Sequence, residues 1–191
     1  MRKERDSICW YQEGAGIRRG KLGMPRHRRG VFAEPLITSE FEIASSLPAS
    51  KLFKAYDDFD NIAPKVDPET YKALVTIEGD GGVGTIRDVI FGDGIPFTSG
   101  KSKLDVVDSN NFSISYTIFE GDVLMGQLDS TTHHVKFIPT ADGGCVYKQT
   151  IVYNCKGETP LAEEYLNIAK EGFKKTFKAI EGFIHANPHT Y

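Results

Sequence analysis

Between Tyr71 and Tyr153 apolar and polar residues alternate in short runs. Ala73, Val75 and Ile77 open the series, and residues 86–91, 97–107, 112–119, 128–138 and 146–153 continue it. Successive side chains of a strand point to opposite faces, so period two predicts strands with one buried face. Between the runs stand Gly79-Asp80-Gly81-Gly82, Gly92-Asp93-Gly94, Asp108-Ser109-Asn110-Asn111, Glu120-Gly121-Asp122 and Ala141-Asp142-Gly143-Gly144. Gly, Asn and Asp accept the backbone angles that tight turns demand. The pattern therefore predicts an antiparallel meander, with a further strand upstream over residues 31–43.

Two short helices are expected between that first strand and the meander. Ser45-Ser46-Leu47-Pro48 combines a capping Ser with a Pro suited to a first turn, and Leu52, Phe53, Ala55 and Tyr56 supply an apolar face. Pro64 and Pro68 delimit a second helix over residues 59–66. The C-terminal segment switches period. Tyr165, Ala169, Gly172, Phe173, Thr176, Phe177, Ile180, Phe183 and Ile184 fall on one helical stripe. Thr159 is placed to cap it, Pro160 suits its first position, Glu163 and Glu164 favour the positive end of its dipole, and Asn187-Pro188 stops it. About 27 residues at 1.5 Å each make a rod of roughly 40 Å. The expected class is α+β: a curved antiparallel sheet around a long C-terminal helix, with the two short helices closing one end. Bulky residues on such a rod can hold it off the sheet, an arrangement that allows an internal cavity.

Charge marks off the N-terminus. Residues 1–30 hold nine Lys or Arg against three Asp or Glu, whereas the remainder holds 14 against 23. The first segment carries five glycines and no apolar periodicity, and is expected to be a basic, disordered extension over residues 1–29, with one domain over 30–191. An acidic body argues against a nucleic-acid groove on that domain. Hydrophobic residues make up 40% of the chain and charged ones 26%, as in ordinary globular proteins. No apolar run nears the ~20 residues of a membrane span. Cys9, Cys145 and Cys155 lack metal-ligand spacing and suit reduced thiols in a cytoplasmic protein.

The motifs that carry chemistry elsewhere are incomplete here. Gly79, Gly81, Gly82 and Gly84 imitate a dinucleotide loop, but residues 85–91 that follow are β-branched and alternating, so no helix N-terminus is presented to a pyrophosphate. The loop is expected to be a hairpin turn. His133 and His134 are neighbours on a strand and point to opposite faces, so they cannot chelate one ion. Lys148 lies within a moderately apolar strand, where a desolvated amine can act as base or Schiff-base donor, or more commonly reaches the edge to pair with an acid. Asp129 and Glu181 are candidates for an acid pair. No catalytic set, metal site or cofactor is expected from these residues.

Several stretches carry a resemblance: Gly30-Val31-Phe32, Leu52-Phe53-Lys54-Ala55, Glu78 to Ile86, Tyr116 to Asp122, Asp142-Gly143-Gly144-Cys145 and Ala179-Ile180-Glu181-Gly182-Phe183. In this order they resemble the birch major pollen allergen family, the plant pathogenesis-related proteins of class ten. The resemblance runs over residues 30–191. It implies a seven-stranded antiparallel sheet gripping the long helix, two short helices in a V, and an internal cavity for flavonoids, cytokinins, steroids or fatty acids. The implied lining is Tyr56, Tyr71, Val89 and Phe91; Ile114, Tyr116 and Ile118; Thr131, His133, Val135 and Phe137; Lys148; and Lys170, Phe173 and Phe177. Ser99 and Gly100 stand where many members carry larger residues, which implies a wider mouth.

The implied role is an intracellular, defence-related carrier of apolar or amphipathic small molecules, cytoplasmic and also nuclear, a monomer or weak dimer without a membrane or specific nucleic-acid partner. Three other roles exist in the wider superfamily: ribonuclease, abscisic-acid-type receptor and phosphatase inhibitor, and alkaloid-type synthase. Ribonuclease residues would fall on Arg87, Asp129, Glu181 and Phe183, with Phe183 in place of a tyrosine and Asp129 shorter than the usual glutamate. Abscisic acid receptors carry a gate and a latch, where Gly92-Asp93-Gly94-Ile95-Pro96 and Glu120-Gly121-Asp122 stand here. Alkaloid-type norcoclaurine synthases use a strand lysine that Lys148 matches, without identified partners.

Overall fold

The computed structural model describes residues 36–157 and 161–191, which belong to the compact unit Ala33–Tyr191. The expected extension over 1–29, Cys9, the start of the first strand and the Thr159-Pro160 cap lie outside the described residues.

Seven strands form one sheet. In chain order they are β1 (Leu36–Ser45), β2 (Tyr71–Glu78), β3 (Ile86–Phe91), β4 (Ser99–Asp108), β5 (Ser113–Gly121), β6 (Leu128–Pro139) and β7 (Cys145–Cys155). Every neighbouring pair is antiparallel, in the order β1-β7-β6-β5-β4-β3-β2. The meander thus runs unbroken from β2 to β7, and β1 adds to its far edge. Irregularities of register in β2, β4, β5 and β6 bend the strands, as extra residues in a ladder do. Near the irregularity in β5, Gly121, with φ of 121°, lies opposite Gly100, and a Cβ on Gly121 would run into the Ser99 carbonyl oxygen. Only glycine fits that close approach.

Because β1 and β2 occupy opposite edges, the chain must cross between them. Helices α1 (Ala49–Asp57) and α2 (Phe59–Val66), joined at Asp58, make that crossing. The Ser cap expected for α1 does not form. Ser45 still pairs with Cys145 at the end of β1, its hydroxyl accepts the Leu47 N–H at 3.1 Å, and Pro48 takes the capping position. The last helix, α3 (Glu163–Ala186), has 24 residues and Ala162 at its cap position. Asn187 ends it: its backbone and side-chain N–H groups both donate to the Phe183 carbonyl at 2.9 Å.

The α3 stripe divides along its length. Phe177, Ile180 and Ile184 in its C-terminal half are fully buried against Leu52, Phe53, Phe137 and Tyr147. Phe177 and Tyr147 lie 4.5 Å apart between ring centroids, and Tyr147 also meets Tyr56 and Phe137, both at 5.6 Å. This aromatic block fills one end of the sheet. Toward the other end Tyr153 and Tyr165 meet at 6.3 Å, between β7 and the start of α3. Rings at both places act as spacers between helix and sheet.

Candidate functional site: an internal cavity

Between these spacers the helix stands clear of the sheet and leaves a cavity of about 490 Å³. That volume falls in the range of small-molecule sites. Tyr165, Ala169, Gly172, Phe173 and Thr176 of α3 form one wall. Strands β2 to β7 supply inward-facing residues, among them Tyr71, Val89, Leu104, Ile114, Tyr116, Ile118, Val135 and Tyr153. Tyr56, Asp57, Phe59 and Asp60 close the side toward α1 and α2. Ile95, Pro96 and Phe97 of the β3–β4 loop, Val123 and Met125 beyond β5, and the exposed Ile168 also line it. Asp122 fixes that loop where it enters β4: its carboxylate accepts the Thr98 N–H at 2.8 Å, the Thr98 hydroxyl at 2.7 Å and the Ser99 N–H at 2.9 Å. The Ser99 N–H and the Thr98 hydroxyl hold its carboxyl below the usual carboxylate range.

Polar groups in this apolar wall are few and ordered. The Tyr147 hydroxyl donates to Gln149 Oε1. With the carboxamide so oriented, Gln149 Nε2 donates to His133 Nδ1 at 3.2 Å. The imidazole proton then sits on Nε2 and goes to Thr131 Oγ1 at 3.0 Å. The chain of donors leaves the Thr131 hydroxyl proton for a further acceptor. His133 is 3% exposed, stacks on Tyr116 at 4.6 Å with 5° between planes, and meets the edge of Phe173. Burial first, and then the charge of His134, push its pKa down to about 3. The ring is therefore neutral at physiological pH. His134 faces the other way, exposed, with its Nδ1 2.8 Å from the Ser115 hydroxyl.

One ion pair stands in the wall. Arg87 Nε of β3 lies 2.6 Å from Asp60 of α2, a contact of charge rather than an aligned hydrogen bond. Burial raises the Asp60 pKa, and Arg87 offsets part of the rise.

Of the residues the resemblance assigned to the lining, eleven meet around this cavity: Tyr56, Tyr71, Val89, Phe91, Ile114, Tyr116, Ile118, Thr131, His133, Val135 and Phe173. The structure places the other four elsewhere. Phe137 and Phe177 are fully buried in the aromatic block. Lys170 lies on α3 outside the lining. Lys148 is on the outer face of β7, where its ammonium pairs with Glu40 at 2.8 Å and Glu42 at 3.4 Å of β1. Period two explains this: Tyr147, Gln149, Ile151 and Tyr153 all face inward, so Lys148 between them cannot. Gln149, Tyr147 and Tyr153 are the inward-facing residues of β7 that this reasoning missed, and the same alternation marks them. Arg87, two residues before Val89 and four before Phe91, belongs to their face in the same way.

The remaining candidates are dispersed. Gly79, Gly81, Gly82 and Gly84 form an exposed turn leading straight into β3, with the Gly81 N–H donating to the Thr85 hydroxyl at 2.9 Å. Asp129 pairs with Lys156 at 3.8 Å, Glu181 with Lys178 at 2.7 Å, and Phe183 lies beneath Lys65. Among the described residues no hydrogen bond or ion pair joins any two of Arg87, Asp129, Glu181 and Phe183.

A bent antiparallel sheet closed by a long helix over a lined void defines a helix-grip protein with an internal container. Residues 37–187 match the model of the Pathogenesis-related protein Bet v 1 family, and the chain belongs to that family. A root allergen protein of Taraxacum officinale is 61% identical over 154 residues, covering 80% of this chain and 98% of that protein. The Dau c 1 isoallergen Dau c 1.0401 of Daucus carota subsp. sativus is 42% identical over 150 residues, covering 78% and 97%. Among solved structures, Ara h 8.0201 superposes with a TM-score of 0.70 at 33% identity, covering 79% of this chain and 99% of that one. Norcoclaurine synthase from Thalictrum flavum, in complex with dopamine and hydroxybenzaldehyde, gives 0.66 at 22% identity, covering 90% and 99%; this likeness is one of fold.

Proposed function

We propose that the protein binds apolar or amphipathic small molecules in the cavity and serves as a defence-related carrier inside the cell, most simply as a monomer. The observation that carries the reading is a void of about 490 Å³ walled by aromatic and aliphatic side chains, with a short ordered row of polar groups on one wall. An ordinary core would be filled at crystal-like density, and voids of this size are costly unless they serve a ligand. An apolar ligand gains about 25 cal/mol for each Å² removed from water, so burying a few hundred Å² leaves several kcal/mol after the losses of association. Nile red, an uncharged environment-sensitive dye, should bind with micromolar affinity and a stoichiometry of one. Absence of saturable binding would remove this reading. A synthase reading is not favoured: the strand lysine on which it rested faces away from the cavity and is neutralised by two carboxylates.

A further inference from the structure

Tyr153 raises a question that the carrier reading does not answer. It is 2% exposed, it lines the cavity, and its hydroxyl has no hydrogen-bond partner among the described residues. Ile118, Leu128, Ile151 and Leu161 share its apolar cluster. A buried hydroxyl without a partner lowers stability, and phenylalanine would fill the same volume without that loss. The hydroxyl is therefore best placed to meet something that enters the cavity. Directly opposite on β6 stands Thr131, the register partner of Tyr153. Thr131 accepts from His133 and so has its own proton left to donate. The residues that carry these two hydroxyls thus line one void from adjacent strands.

We propose that Thr131 and Tyr153 form a hydroxyl subsite that selects uncharged ligands bearing a hydroxyl or carbonyl oxygen on an apolar body, over the corresponding hydrocarbons and carboxylates. The subsite rests on the carrier reading, since it needs a ligand in the cavity. Thr131 supplies a donor, and the Tyr153 hydroxyl donates or accepts, so together they satisfy both functions of an alcohol or the lone pairs of a carbonyl. The discrimination against carboxylates follows from the charges of the wall. Among the described residues its ionic side chains are Asp57, Asp60 and Arg87, and Asp60 already takes the guanidinium. His133 brings no positive charge, because burial keeps the ring neutral. A carboxylate would leave water without an unpaired cation to receive it. Lys148 and Lys170 are not part of the lining.

The test uses naphthalene, 2-naphthol and 2-naphthoate at pH 7, titrated calorimetrically and by displacement of Nile red. The protein should bind 2-naphthol about three- to tenfold more tightly than naphthalene, the effect of one or two net hydrogen bonds. It should bind 2-naphthoate at least roughly tenfold more weakly than 2-naphthol. Tyr153→Phe should bring the naphthol-to-naphthalene ratio close to one while naphthalene affinity is kept, and Thr131→Val should lower the ratio in the same direction. The melting temperature of unliganded Tyr153→Phe should equal or exceed that of the parent. Binding of naphthalene with no preference for 2-naphthol, or a preference that survives both substitutions, overturns the subsite and leaves the carrier reading intact. A clear loss of melting temperature in Tyr153→Phe also overturns it, since the hydroxyl would then have a structural partner. If neither Nile red nor any of the three probes binds, the carrier reading fails and the subsite with it.

Discussion

Thr176 of α3 donates its hydroxyl to the buried carboxylate of Asp67 at 2.8 Å, tying the long helix to the point where α2 ends. Lys175 adds an ion pair at 3.0 Å, and the Asp67 carbonyl accepts the N–H groups of Thr70 and Tyr71 as the chain turns into β2. This one residue thus joins α2, β2 and α3 around the end of the cavity. Thr176→Val keeps the shape and removes the donor. Hydrogen bonds to charged groups contribute about 1.5–3 kcal/mol, so the unfolding free energy from denaturant titration should fall by an amount of that order, with Nile red stoichiometry unchanged.

The same contact sets an acid limit. Burial works to raise the Asp67 pKa, but the hydrogen bonds from Thr176, Lys175 and Thr70 outweigh it and hold the carboxyl below its ordinary value of 3.8. A depressed folded-state pKa means that the unfolded chain takes up the proton first as pH falls. The stabilisation is therefore present above about pH 4 and lost as pH drops through the folded pKa. Unfolding curves between pH 5 and 2 should show a shallower acid loss in Thr176→Val than in the parent, because less stabilisation is there to lose.

His133 should give a second pH dependence at milder acidity. An unfolded imidazole titrates near 6.5, whereas the folded one does so at about 3. Between these values the unfolded state holds a proton that the folded state does not, so stability falls as pH is lowered. From pH 7 to pH 5 the loss should be on the order of 2 kcal/mol. His133→Asn should be less stable at pH 7, because it breaks the row from Tyr147 to Thr131, but its stability should decline less over the same interval. An equal decline in the two proteins would show that the ring is not held neutral.

Lys148 offers a prediction of no effect. Because its ammonium is engaged with Glu40 and Glu42 on the outer face of the sheet, Lys148→Met should bind Nile red as the parent does. Weakened binding would place the lysine in the cavity after all.

These cases show where the fold and the site were legible in the chain. Strands and turns were readable because alternation and turn residues are local: β3 and α2 span the residues expected, and each of β4 to β7 differs only at its ends. The α1 cap was misread because Ser45 is claimed by its ladder with Cys145, a partner 100 residues away that no local pattern contains. The α3 stripe was readable as one face, but not its division into a half that packs and a half that faces a void. Nothing in Phe173 and Phe177 themselves distinguishes them; Tyr147 on β7 does, by filling the space beneath Phe177 alone. The outward turn of Lys148 and the inward turn of Gln149 were both readable from period two. Position within a family resemblance does not report which face of a strand a residue occupies, whereas the alternation along β7 does.

That division of α3 gives the sharpest contrast between a filled core and a container wall. Phe177 is fully buried and its ring lies 4.5 Å from Tyr147. Phe177→Ala removes an interdigitated ring and should lower stability by about 3–5 kcal/mol, while the folded fraction still binds one Nile red. Tyr116 belongs to the opposite situation. It stacks on His133, but its remaining surface borders the cavity. In Tyr116→Asp the new carboxylate can be hydrated from the void, so the midpoint should move far less than burial of an unpaired charge in a closed core would require. Dye affinity should nevertheless drop about tenfold or more, because the ligand would have to displace that water and lie against a charge. Denaturant midpoint and dye affinity, measured on both variants, should therefore change in opposite proportion: mostly stability for Phe177→Ala, mostly binding for Tyr116→Asp. If Tyr116→Asp instead unfolds the protein while Phe177→Ala abolishes binding, the assignment of Phe177 to the core and of Tyr116 to the cavity wall is reversed.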